Sequence, residues 1–242
     1  MLKQSKNGLV KWLSKKWLFW TLVFYPPLSF LLGLFILLGR YIGGGLEAKL
    51  IELEVVNDSV WVLLFAQFTM LILLVISSLA DRENLFKLTL YSTSPIKDIF
   101  WGVLLGIGIA VSYFYFGLAD IHLYLQKQLG DYVPVGLPSE ALVKDKVLFF
   151  IANVLLAPFV EENIYRRLLP QFFAQGSSCK KLCLSAFLFG CLHWMGGFWY
   201  VLITMFFIGL PFGFIQQQKK TLLFVFTAHF VLNLIEFIIG AK

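Results

Sequence analysis

Charge is scarce in this chain. Of its 242 residues, 14% are Asp, Glu, Lys or Arg, against roughly a quarter in a soluble globular domain. No stretch is polar enough to fold alone in water, which excludes a separate soluble domain and leaves one unit. Cysteine is equally thin: Cys179, Cys183 and Cys191 all fall on or beside one apolar run. They form no CxxC pair of the kind that serves zinc or redox chemistry, and they read as small buried hydrophobes. Internal repeats, low-complexity tracts and linkers are missing. So is HExxH, the usual mark of a zinc peptidase.

Apolar sequence fills the chain instead. Hydrophobic residues make up 59%, aromatic residues 17%, and the mean hydropathy is +0.81. Residues 17–39, 59–80 and 99–119 carry no charge; each suffices to cross about 30 Å of hydrocarbon as a helix of roughly 20 residues. The first run is too long for a signal-peptide core, contains Pro26-Pro27 and lacks a small-residue cleavage pattern, so it reads as a retained span. Lys181 and Lys219 enclose 37 uncharged residues broken only by Met195-Gly196-Gly197, which reads as a tight turn between two spans. Residues 221–239 form another. The remaining span begins near Lys146, is apolar to Val160 apart from Asn153, and runs into Glu161-Glu162.

The expected fold is an all-α, polytopic transmembrane helical bundle of about seven spans. It divides into a basic cytosolic segment over 1–16, three helices with their loops over 17–145, and a four-helix core over 146–242. With the N-terminus in the cytoplasm, fourteen of the twenty Lys and Arg residues fall on the inner side, the orientation the positive-inside bias favours. The net charge of +6 then reflects topology, and no nucleic-acid partner is expected. Residues 9–17 mix apolar with basic side chains, which suits the inner membrane surface or a solvated tail. Two longer loops are expected over 40–58 and 120–146, the second with a helix start at Ser139-Glu140.

Ionisable groups inside a span are costly and usually mark a pathway or a site. Two of the three histidines, His193 and His229, lie inside apolar runs; Glu161 and Glu162 interrupt a third, and Asn233 follows His229 by one helical turn. If the Glu161 helix continues to about Gln175, Glu161 lies about 21 Å from that end at 1.5 Å per residue. By the same rise His193 lies about 18 Å beyond Lys181, and His229 and Asn233 about 14 and 20 Å beyond Lys220. Three helices thus carry polar side chains to one level.

Spacing adds to this. Glu162 and Arg166 stand at i,i+4 with the acid first, the favourable order for a pair on one face. Glu161 then points about 100° away, to another face. Phe189 and His193 share a face, as do His229 and Asn233. Glu236, seven residues after His229, reads as a supporting residue on that side or as an outer-end carboxylate. The set suits hydrolysis: Glu161, aided by His193, as general base on water, with His229 and Asn233 donating to the oxyanion. No side-chain nucleophile and no cofactor is required.

Three motifs now stand in order on apolar helices: EExxxR at Glu161-Glu162-Asn163-Ile164-Tyr165-Arg166, FxxxH at Phe189-Gly190-Cys191-Leu192-His193, and HxxxN at His229-Phe230-Val231-Leu232-Asn233. In these the sequence resembles the CAAX protease and bacteriocin-processing family, which includes the type II CAAX prenyl endopeptidases. The resemblance covers about residues 146–240. It implies an intramembrane glutamate-type endopeptidase that opens toward the cytosol and needs no metal. Glu161 would be the base, His193 its partner at the water, and His229 with Asn233 the oxyanion site, supported by Glu162, Arg166 and Phe189. It further implies membrane lipids as surroundings and a membrane-associated peptide or protein, prenylated or not, as substrate. The compact size is similar to prokaryotic members in a plasma membrane, some associated with peptide maturation or bacteriocin self-immunity.

Plainer readings stand beside this one. An intramembrane histidine or asparagine can be interhelical glue, and Glu161-Glu162 can mark the end of a span. Two His and two Glu can hold an incidental ion. A proton-coupled transporter also uses buried Glu and His, although it would usually show repeat symmetry. A non-catalytic immunity or scaffold protein would show the same sequence features.

Overall fold

The computed structural model describes residues 20, 24–25, 28–29, 31–33, 35–45, 48–80, 84–129, 145–172, 177–194 and 197–240. The basic segment over 1–16, the Pro26-Pro27 pair, the helix start at Ser139-Glu140, and Met195 with Gly196 lie outside the described residues. Within them every regular element is helical. In chain order these are α1 (Leu31–Gly43), α2 (Ala48–Ala80), α3 (Leu85–Leu90), α4 (Pro95–Tyr115) and α5 (Leu118–Leu129). Then come α6 (146–172), α7 (Ser178–Leu192), α8 (Phe198–Lys219) and α9 (Leu223–Gly240).

Stretches of α2, α4, α6 and α8 are long and apolar enough to cross a membrane, while α1 and α9 are shorter apolar helices. Large hydrophobic side chains such as Leu79, Ile96 and Phe116 stand on the outside, 70–82% exposed. Such a surface belongs in lipid. The protein is an all-α integral membrane bundle.

Among the described residues, helix enters both expected loops. The first is taken over by α2, whose 33 residues include no Gly or Pro, so nothing breaks the helix at Glu52, Glu54 or Asp58. The second begins with α5, which turns Leu118, His122 and Leu125 inward and leaves Asp120, Ile121 and Tyr124 exposed. The cysteines also depart from expectation. Cys179 and Cys183 are exposed and Cys191 is half-buried, because α7 turns that side away from the bundle.

Three stretches widen to π pitch: Phe150–Leu156, Asn163–Leu168 and Thr204–Gly209. Each ends two residues before a proline, respectively Pro158, Pro170 and Pro211. A proline inside a helix has no N–H to donate and its ring collides with the carbonyl four residues back. A wider turn moves that carbonyl aside, and π turns recur near functional sites. Asp145 starts α6 by accepting from the Leu148 N–H at 3.0 Å.

Glycines bring helices to near contact. A Cβ added at Gly102 or Gly106 of α4 would stand 2.6 Å from the Phe224 carbonyl oxygen or 2.5 Å from that of Ala228, both on α9. At the start of α8, Gly197 has φ 92°, which an L side chain rarely adopts. The near end of this packing is clasped by Asp98, which accepts from Ser92 at 2.5 Å and from Lys219 at 3.2 Å. The main core joins Met70 and Leu74 of α2, Val160, Ile164 and Leu169 of α6, and Phe189 of α7. It borders the polar cluster described next.

Candidate active site

Glu161 and Glu162 stand on the α-pitched turn Ala157–Glu162 between two π stretches of α6, and both are buried. Their carboxylates face different partners, as the 100° step between neighbours requires. Glu162 Oε1 accepts from His229 Nδ1 at 2.8 Å. Its other oxygen lies 3.3 Å from Arg166 Nε, one turn along the same helix. Glu161 Oε1 accepts from Gln67 Nε2 of α2 at 3.0 Å. Glu161 Oε2 is buried and makes no hydrogen bond among the described residues; it faces His229 Nε2 at 3.9 Å.

His229 therefore stands between the two acids. Because Nδ1–H is given to Glu162, Nε2 is the nitrogen presented to Glu161. Rings of Phe189 and Phe212 stand 5.9 and 6.0 Å from its own, and it is 3% exposed.

Phe189 organises the other side. Its ring is fully buried, with the Arg166 guanidinium 4.4 Å from its centroid and the His193 ring at 4.8 Å. Its carbonyl oxygen is 2.9 Å from His193 Nδ1. With Nδ1–H donated there, the lone pair of His193 is on Nε2. Arg166 also donates to Ser185 Oγ at 3.3 Å, and Ser185 in turn to the Tyr165 carbonyl at 2.5 Å. A guanidinium inside hydrocarbon is costly unless paired. Here a carboxylate, a hydroxyl and an aromatic face surround it.

The structure thus brings together Glu161, Glu162, Arg166, Phe189 and His229. His193 joins through Phe189; it shares no hydrogen bond or ion pair with Glu161 among the described residues. Asn233 is tied elsewhere, its Nδ2 donating to the Asn153 carbonyl in the first π stretch at 2.8 Å. Glu236 is half-buried and lines a cavity with Tyr113, Tyr200 and Leu232. Among the described residues no group of three or more His, Cys, Asp and Glu side chains is arranged to hold a metal ion.

Sequence reasoning missed Gln67, Asn153 and Ser185. It also missed a second buried network, in which Asn163 donates to Thr89 at 2.8 Å and accepts from Arg167 at 3.0 Å. The signal is present for the amides, since an amide in an apolar span needs a partner, but of them only Asn233, one turn after His229, stands out by its spacing.

Residues 142–235 match the family described as type II CAAX prenyl endopeptidase Rce1-like. The stretch holds all three motifs, and what it matches is a family of CAAX-type intramembrane proteases. The chain matches no curated protein and no solved structure.

Proposed function

Taking the Rce1-like assignment of residues 142–235 as premise, we propose that this chain is an intramembrane endopeptidase that hydrolyses a peptide bond with water activated by Glu161. The observation that carries the reading is the buried Glu161 Oε2, which makes no hydrogen bond among the described residues and faces His229 Nε2 at 3.9 Å. That separation exceeds a hydrogen bond and suits a water-sized oxygen between the two groups.

In the reaction, Glu161 Oε2 takes a proton from water as the water oxygen bonds to the scissile carbonyl carbon. His193 Nε2 accepts from the second hydrogen of the same water. The carbonyl oxygen becomes an oxyanion and receives donors from His229 and Asn233. Both ring nitrogens of an imidazolium donate, so His229 serves this step in its protonated form, with Glu162 holding Nδ1–H. Asn233 uses one amide hydrogen for Asn153 and has a second for the oxyanion. Collapse breaks the C–N bond, and Glu161 returns its proton to the leaving amine. Glu162 and Arg166 keep the histidine aligned, and no metal takes part.

We place the catalytic core within residues 146–242, in a prokaryotic plasma membrane with the N-terminus cytoplasmic and the site opening toward the cytosol. The partners are membrane lipids and a membrane-associated peptide or protein, prenylated or not, in peptide maturation or bacteriocin self-immunity.

The test is cleavage of a panel of membrane-presented peptides, prenylated and unprenylated, by purified wild type and Glu161→Ala, with and without a chelator. The expected result is cleavage that survives chelation and falls on the order of 10²- to 10⁴-fold in the variant, the span of general-base catalysis. Cleavage unaffected by Glu161→Ala would remove Glu161 from the role of base. Folded protein that cleaves no peptide would transfer the site to a non-catalytic role.

A further inference from the structure

Gln67 lies on α2, outside the stretch matched by the family, yet its side chain reaches the central carboxylate. Its Nε2 donates to Glu161 Oε1 at 3.0 Å across 94 positions of chain, and the residue is 4% exposed. Packing sets the register. Met70 and Leu74 follow Gln67 at helical spacing and share its face, and both lie in one core with Val160 and Ile164 of α6. The same contacts that seal α2 on α6 therefore deliver the amide to Glu161.

The terminal torsion of a glutamate is broad and roughly two-fold, so by itself it does not choose which oxygen points where. A donor fixed to one oxygen makes that choice. An amide makes it without cancelling the negative charge, which a lysine or arginine in the same place would offset. We propose that Gln67 is the positioning residue of Glu161, a role that rests on reading Glu161 as the base. It occupies Oε1 and leaves Oε2, the oxygen facing His229 at 3.9 Å, to take the proton. The N-terminal half of the bundle then contributes to catalysis and does more than anchor the core.

Two variants of the full chain test this. Gln67→Met is close in size and lacks the donor; Gln67→Asn keeps the buried amide but withdraws it by one methylene. Each is compared with wild type on a membrane-presented peptide that the wild type cleaves, after thermal melting in detergent shows that it is folded. The expected result in both is a kcat roughly ten- to a hundredfold lower, with KM within about twofold, as for a displaced reacting group. Isotope-edited infrared difference spectra, with Glu161→Gln to assign the band, are expected to show the Glu161 carboxyl stretch displaced in both variants. An unmoved band overturns the proposal, as does a moved band with unchanged kcat, or a change confined to KM. If the wild type cleaves no peptide, the assignment of Glu161 as base is what fails, and the infrared band shows separately whether Gln67 holds the carboxylate.

Discussion

His229 and Glu162, 67 residues apart, meet inside the bundle with Nδ1 2.8 Å from Oε1, and the same carboxylate faces Arg166 at 3.3 Å through its other oxygen. One buried acid thus serves two cationic or donor groups on two helices. Glu162→Ala would strand Arg166, which is 1% exposed. Removing one partner of a buried pair costs about 3–5 kcal/mol, and that loss is expected in unfolding measured in detergent. Glu162→Gln, which keeps the shape and one acceptor, is expected to cost less and still to slow cleavage. A Glu162→Ala chain as stable as wild type would contradict the pairing.

The close approach of α4 and α9 yields a contrast within one helix. A Cβ at Gly106 would meet the Ala228 carbonyl oxygen at 2.5 Å and Val231 Cβ at 2.9 Å, whereas one at Gly108 meets nothing within 4 Å. Gly106→Val is expected to destabilise by at least the 1–3 kcal/mol or so typical of overpacking. Gly108→Ala is expected to be neutral or to stabilise by up to about 1 kcal/mol, as alanine does in a helix interior. Melting temperatures of the two variants, purified side by side, decide it.

Asn163 links α6 to the short helix α3. Its amide nitrogen donates to Thr89 and to the Phe159 carbonyl, both at 2.8 Å, and its oxygen accepts from Arg167 at 3.0 Å. Asn163→Leu removes all three bonds without vacating the space. The expected loss is about 1–3 kcal/mol for each buried polar group left without its partner. Hydrogen exchange is expected to rise in α3 before the rest of the bundle. Unchanged protection of α3 would show that this network does not hold it.

The proposed orientation can be read at Cys179, which is exposed in the first turn of α7 beside Lys180 and Lys181. With Cys183 and Cys191 replaced by alanine, a membrane-impermeant maleimide is expected to label Cys179 in inside-out vesicles and not in right-side-out ones. The reverse pattern would invert the topology drawn from the Lys and Arg bias.

The long apolar runs and their polar interruptions were legible because both are local properties. Glu161, Glu162, His193, His229 and Asn233 stood out against an apolar background, where a polar group is expensive enough to need a reason. The i,i+4 pairing of Glu162 with Arg166 was legible for the same cause, since the helix alone sets it. Residues 48–58 and 120–129 differ from the expected loops because a charge does not by itself end a helix. In fact α2 runs on through Glu52 and Asp58 without a breaker, and α5 is amphipathic.

By itself, then, the sequence determined an all-helical membrane chain, the residues that interrupt its apolar runs, and the prolines before which the helices widen. Only the tertiary structure decided that Glu162 holds His229, that Gln67 reaches Glu161, and that Asn233 is tied to Asn153. The reason is rotational. Which side chains meet depends on how each helix is turned about its axis. That turn is set jointly by π stretches, by glycines that admit a neighbouring backbone, and by the core between α2, α6 and α7, none of which any one helix specifies alone.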